Sequence, residues 1–64
     1  MHDMHAKEEE SLISIGEAAA FLSVPRSWLY SRTRTHAIPF IKLGRYVRFR
    51  KSDLLTWAQE QQGR

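Results

Sequence analysis

From Ile13 onward the spacing of apolar residues divides the chain into short segments. Ile15, Ala18, Ala19 and Leu22 recur at i, i+3, i+4 and i+7, one stripe of a helix over about Ile15 to Leu22. Ser14 and Glu17 stand at the spacing of a capping box, which places the start of that helix. Ser23-Val24-Pro25 reads as a tight turn, because proline biases Val24 away from helical angles and suits the first position of a new helix. A second helix is expected from about Pro25 to Thr33 or Arg34, with Leu29 facing the core. Arg26, Ser27, Tyr30 and Ser31 fall mostly on another face, with Arg32 and Arg34 further along, and Trp28 fits either side. Phe40–Leu43 and Tyr46–Phe49 are β-prone runs separated by Gly44-Arg45, the signature of a hairpin. A third helix is expected over about Lys51 to Gln61, with Asp53 in its first turn and Leu54, Trp57 and Ala58 inward. Leu12 and Ile13 precede all of this as a lead-in strand or a hydrophobic staple.

Two short helices joined by a turn, crossing over the small Ala18 and Ala19, make a helix-turn-helix. The hairpin beside it is then a wing, with Lys42, Arg48 and Arg50 expected to point outward and Arg45 at the tip. Trp57 is expected to be the largest anchor of the core, packed on the first helix and the hairpin. The fold class expected is α+β, mainly helical: three helices and a two-stranded wing over residues 12–64, behind a disordered acidic tail at 1–11.

Charge sharpens this picture. Residues 1–11 carry Lys7 against Asp3, Glu8, Glu9 and Glu10, a net −3, whereas residues 12–64 carry a net +6. No acid occurs between Glu17 and Asp53, a span that holds Arg26, Arg32, Arg34, Lys42, Arg45, Arg48, Arg50 and Lys51. Excluding acids from the middle of a compact body favours a polyanionic partner, most often nucleic acid. Arg26, at the start of the second helix, is the candidate for a base edge, where an arginine makes a bidentate contact to guanine, or else for a phosphate. Tyr30 either donates to a phosphate or caps the core. Arg32, Lys42, Arg45, Arg48 and Arg50 are assigned to phosphate contact or solvation.

Other chemistries find little support. A chain of 64 residues forms one small domain, and the absence of cysteine removes disulfides and thiolate metal sites. No apolar run approaches the roughly 18 residues of a membrane span. His2 and His5 lack a third ligand at a fixed spacing, so neither metal nor other cofactor is expected. No nucleophile–base pair, paired carboxylates or phosphate-cradling glycine loop is visible, so no enzyme is expected.

From Ile13 to Trp57 the chain resembles the excisionase-type helix-turn-helix domain, a small relative of the MerR winged-helix proteins. The residues that carry the likeness are Ser14 to Ala19, Val24-Pro25-Arg26-Ser27 with Tyr30, Ile38-Pro39, Lys42-Leu43-Gly44-Arg45 with Arg48, and Asp53-Leu54 with Trp57. The resemblance implies that the second helix enters the major groove of double-stranded DNA while the wing follows the adjacent backbone or minor groove. Arg26, Ser27, Tyr30 and Arg34 would then face the major groove or its phosphates, with Trp28 and Ser31 on the same helix as further DNA-binding candidates. Gly44 and Arg45 would form the wing tip, and Lys42 and Arg48 would contact phosphate. The chain departs from the family at Trp28, usually small and polar, at Pro25, which replaces a capping serine, and at Thr33, where an aliphatic residue is usual and its loss would loosen the core.

The resemblance further implies an excisionase, or recombination directionality factor, of a mobile element, acting on DNA in the cytoplasm of a bacterial or phage-infected cell. Its partners would be DNA and a tyrosine or serine integrase, with copies associating side by side on repeated sites. A small phage- or plasmid-type transcription regulator is the alternative, and a module binding an acidic protein is the third reading.

Overall fold

The computed structural model describes residues 11–62. The predicted tail, apart from Ser11, lies outside the described residues, as do His2 and His5. Three helices and one hairpin follow in order: α1 (Ile15–Leu22), α2 (Arg26–Arg34), β1 (Ile41–Leu43), β2 (Tyr46–Arg48) and α3 (Lys51–Gln61). Helix α1 packs against α2 and α3. The expected fold class is therefore the one observed.

Helix α1 begins at a complete capping box. The Ser14 amide donates to Glu17 Oε1 at 2.9 Å, and the Glu17 amide donates to Ser14 Oγ at 3.2 Å. Ala18 and Ala19 are buried, which brings α2 close enough for Leu29 to be fully enclosed. The helix ends on Ser23, a non-glycine residue in the left-handed region (φ 61°, ψ 44°). There the Val24 amide closes back on the Ala19 carbonyl at 3.0 Å, as in a Schellman motif. Helix α2 ends the same way: His36 has φ 59°, and the Ala37 amide donates to the Arg32 carbonyl at 2.9 Å. Pro25 does not occupy the first helical position but the cap before it, with extended ψ of 148°, so α2 opens at Arg26.

In the hairpin Ile41 pairs with Arg48, Lys42 with Val47 and Leu43 with Tyr46. Gly44 takes φ +62° at the first turn position, where a side chain would be strained. This register corrects one expectation. Lys42 and Arg48 do not share a face: Lys42 is opposite Val47, on the side that carries the core contacts of Phe40, Val47 and Phe49, whereas Arg48 lies with Ile41, Leu43 and Tyr46 on the other. Ile13, the predicted lead-in residue, joins Phe49 through two backbone hydrogen bonds of 2.9 Å.

The core also differs from expectation in its anchor. The largest fully buried side chains are Phe49, Leu29 and Leu54. Trp57 is only half-buried, at the edge of the core, and its ring meets Trp28 of α2 edge to face at 6.4 Å between centroids. Its indole N–H donates to the Ala37 carbonyl at 3.1 Å, and the need for that partner holds the ring at the edge of the core. Thr33 does not loosen the packing. It is buried, with its hydroxyl donating to the Tyr30 carbonyl at 2.7 Å, so its polar atom is satisfied.

Phe49→Ala should cost about 3–5 kcal/mol of unfolding free energy, and Trp57→Ala less, on the order of 1–3 kcal/mol; urea melts of the two variants would check the order. Glu17 supplies a pH dependence. The Ser14 amide first, then the Ser14 side chain, hold its carboxyl below the usual 4.5, with weaker help from Lys51 and Arg48. A lowered carboxyl pKa contributes stability that is present above the unfolded value and lost as pH falls through the folded one. Thermal melts of Glu17→Gln should therefore lose stability less steeply than the parent as pH drops below about 5.

Candidate nucleic-acid interface

Helix α2 turns Leu29 and Thr33 inward. At about 3.6 residues per turn, Ser27, Ser31 and Arg34 then stand on the opposite side. All three are exposed, and so is Tyr30 next to them. The Arg34 guanidinium lies 5.8 Å from the centre of the Tyr30 ring, within cation–π range. Tyr30 is 54% exposed, so it flanks the outer face and does not cap the core. Ser31 donates to the Trp28 carbonyl at 2.9 Å, which turns its hydroxyl toward its own helix.

Arg26 occupies the seam between α1 and α2. It lines a shallow depression with Ile15, Ser27 and Tyr30. No side chain caps α2 and its first turn carries no acid, so the positive end of the helix dipole and Arg26 add together there. That combination suits an electronegative acceptor, a phosphate or the O6/N7 edge of a guanine.

Trp28 and Arg32 belong to a different surface. Trp28 is half-buried against Trp57, and the Arg32 guanidinium sits 4.3 Å from its ring centre. Both line an apolar groove with Leu22, Val24 and Trp57. Trp28 therefore does not stand with Ser27, Ser31 and Arg34 on the exposed side of α2. The cause is its place on the helix: it precedes Leu29 on the flank turned to α3, where a large ring finds apolar cover.

The wing forms a second basic cluster. Arg45 and Arg48 lie 5.5 and 5.4 Å from the centre of the exposed Tyr46 ring. Arg48 is half-buried and its Nη1 donates to the Val47 carbonyl at 2.8 Å, which fixes its guanidinium beside the ring. Gly44 at the turn is exposed, and a Cβ there would meet nothing within 4 Å. Lys42 is exposed on the opposite face of the hairpin. Arg50 leaves the wing altogether and pairs with Asp53 at 3.6 Å across the start of α3, an exposed pair of little energetic weight. Tyr46 is the interface candidate that reading for charge alone passes over. The signal for it was present: a two-residue turn sets Tyr46 opposite Leu43, and alternation then puts it on the face of Arg48.

Among the described residues no three His, Cys, Asp or Glu side chains group as metal ligands, and no helix is long and apolar enough to cross a membrane.

Two helices around a tight turn, the second exposing a polar and cationic face, with a basic hairpin behind them, define a winged helix-turn-helix. Residues 12–62 match a family described as a helix-turn-helix domain, and the chain belongs to that family, which is found in excisionase-type proteins. No curated protein and no solved structure gives a significant match. DNA binding is the activity that membership implies.

Arg45→Ala should weaken binding to specific and random duplex about equally and flatten the salt dependence of log K by about one unit. Titrations at several salt concentrations would measure it, and an unchanged slope would remove the wing tip from the interface.

Proposed function

We propose that the chain is an accessory DNA-binding protein of a mobile element, acting as an excisionase. It binds without catalysis. Helix α2 lies in the major groove, with Ser27, Ser31 and Arg34 facing the bases or their phosphates and Arg26 at the groove edge. The wing tip follows the neighbouring backbone, where Arg45 and Arg48 meet phosphate and Tyr46 packs on a sugar. Several copies on repeated sites would bend the duplex, at a deformation cost of about 1–6 kcal/mol per site, and help a tyrosine or serine integrase excise the element.

The observation that carries this reading is the double cationic feature in a chain of this family. An arginine-led helix start without a side-chain cap stands with a wing tip where two guanidiniums flank one exposed ring. Contacts at two places along the duplex neutralise charge unevenly, and uneven neutralisation favours bending.

The test is a footprint on DNA flanking a candidate element, paired with an excision assay using the neighbouring integrase. Several regularly phased protected stretches and a rise in excised product on adding the chain are expected. A single protected stretch over a promoter, with excision unchanged, would make the protein a transcription regulator instead.

A further inference from the structure

Arg26 lies against α1 without lying over a ring of its own helix. The guanidiniums of Arg32 and Arg34 lie over rings of their own helix, Trp28 and Tyr30. That of Arg26 instead lies on the first turn of α1, at Gly16. A Cβ built at Gly16 would stand 3.2 Å from Arg26 Nη2, 3.4 Å from Nε and 3.5 Å from Cζ. The planar group thus rests against the bare backbone at Gly16, at a distance where a Cβ would press on it by a few tenths of an ångström. Gly16 has no conformational reason to be glycine: it lies inside α1 without the positive φ found at Gly44. Elsewhere in a helix such a residue costs stability relative to alanine. Arg26, for its part, makes no hydrogen bond, ion pair or ring contact among the described residues. None of its donors is spent on a described residue, and it lies over the floor at Gly16 with Ile15 and Tyr30 around the same depression.

From this we infer that Gly16 is a positioning residue for DNA recognition: the bare backbone of α1 seats the Arg26 guanidinium at the α1–α2 seam and so sets the place from which it reads. This rests on the DNA-binding reading above. A side chain at Gly16 lifts the guanidinium by a few tenths of an ångström or turns it aside. Bidentate contacts depend on two donors meeting two acceptors at once, so a displacement of that size weakens recognition of the correct base far more than general attraction to phosphate.

The test uses the whole chain. The parent first selects its preferred duplex from a randomised pool. Parent, Gly16→Ala, Arg26→Ala and the double variant are then titrated on that duplex and on a scrambled duplex of equal composition, with a thermal melt of each protein. For Gly16→Ala we expect a melting temperature equal to or above the parent's, unchanged affinity for scrambled DNA and a preference for the selected duplex lower by about tenfold. In the Arg26→Ala background the same change should have no further effect, because the residue acts only through Arg26. An unaltered preference, an additive effect in the double variant, or a melt lowered by the alanine would each overturn the assignment. A parent that selects no duplex at all would remove the DNA-binding reading itself, a failure distinct from these.

Discussion

Two backbone hydrogen bonds between Ile13 and Phe49 join the chain just before α1 to the chain just after the wing. Much of the architecture depends on that junction. It sets the start of α1 beside the end of β2, and it buries Phe49 completely beneath Leu54 and the helix pair. A three-residue strand pair has few ladder bonds and little stability alone. Tied to Ile13, it becomes part of the core, and the residues that extend from it, Gly44 to Tyr46, are held out from a rigid base. The same junction orients α3, whose first turn follows Phe49 directly. Among the described residues the buried apolar core comprises seven side chains, and the tie joins two of them, Ile13 and Phe49.

The division of labour along α2 follows from that packing. One flank is spent on Leu29 and Thr33, a second on Trp28 and Arg32 against α3, and a third on the seam with α1. What is left outward is narrow: Ser27, Ser31 and Arg34, bordered by Tyr30. Small hydroxyls there let a duplex come close, and arginine gives reach. The aromatic residues hold cations in place at both clusters, Tyr30 for Arg34 and Tyr46 for Arg45 and Arg48. A cation over a ring loses less side-chain freedom on binding than one free in solvent, which reduces the entropic cost of meeting a phosphate.

Helix boundaries, the capping box and the wing turn were legible in the sequence because local physics determines them. Ser14 and Glu17 bond over three residues, and Gly44 supplies a positive φ wherever the strands lie. The placement of aromatic residues was not legible in the same way. Alternation from Tyr46 to Phe49 marks two faces without saying which is inward, so the pattern does not set Phe49 above Trp57, although Phe49 is the one fully buried. Size suggested Trp57 as the anchor, but an indole N–H needs an acceptor, and the Ala37 carbonyl sits at the rim. Lys42 and Arg48 were separated by register, a long-range property that composition does not contain. The seat of Arg26 on Gly16 involves residues ten apart whose meeting depends on the crossing of α1 and α2.

The left-handed corners at Ser23 and His36 bear on how the domain meets a ligand. Each costs roughly 1–2 kcal/mol for a residue with a side chain, and each is held by hydrogen bonds back into the helix it ends. Ser23 ends α1 two residues before Pro25, the cap of α2, and His36 stands two residues after Arg34, the last residue of α2. The two corners thus mark off the length of that helix and the directions of the chain at its ends. An interacting duplex meets a bar of that length, and the adjustment that complex formation requires falls on the bending of the duplex and on the long arginine side chains.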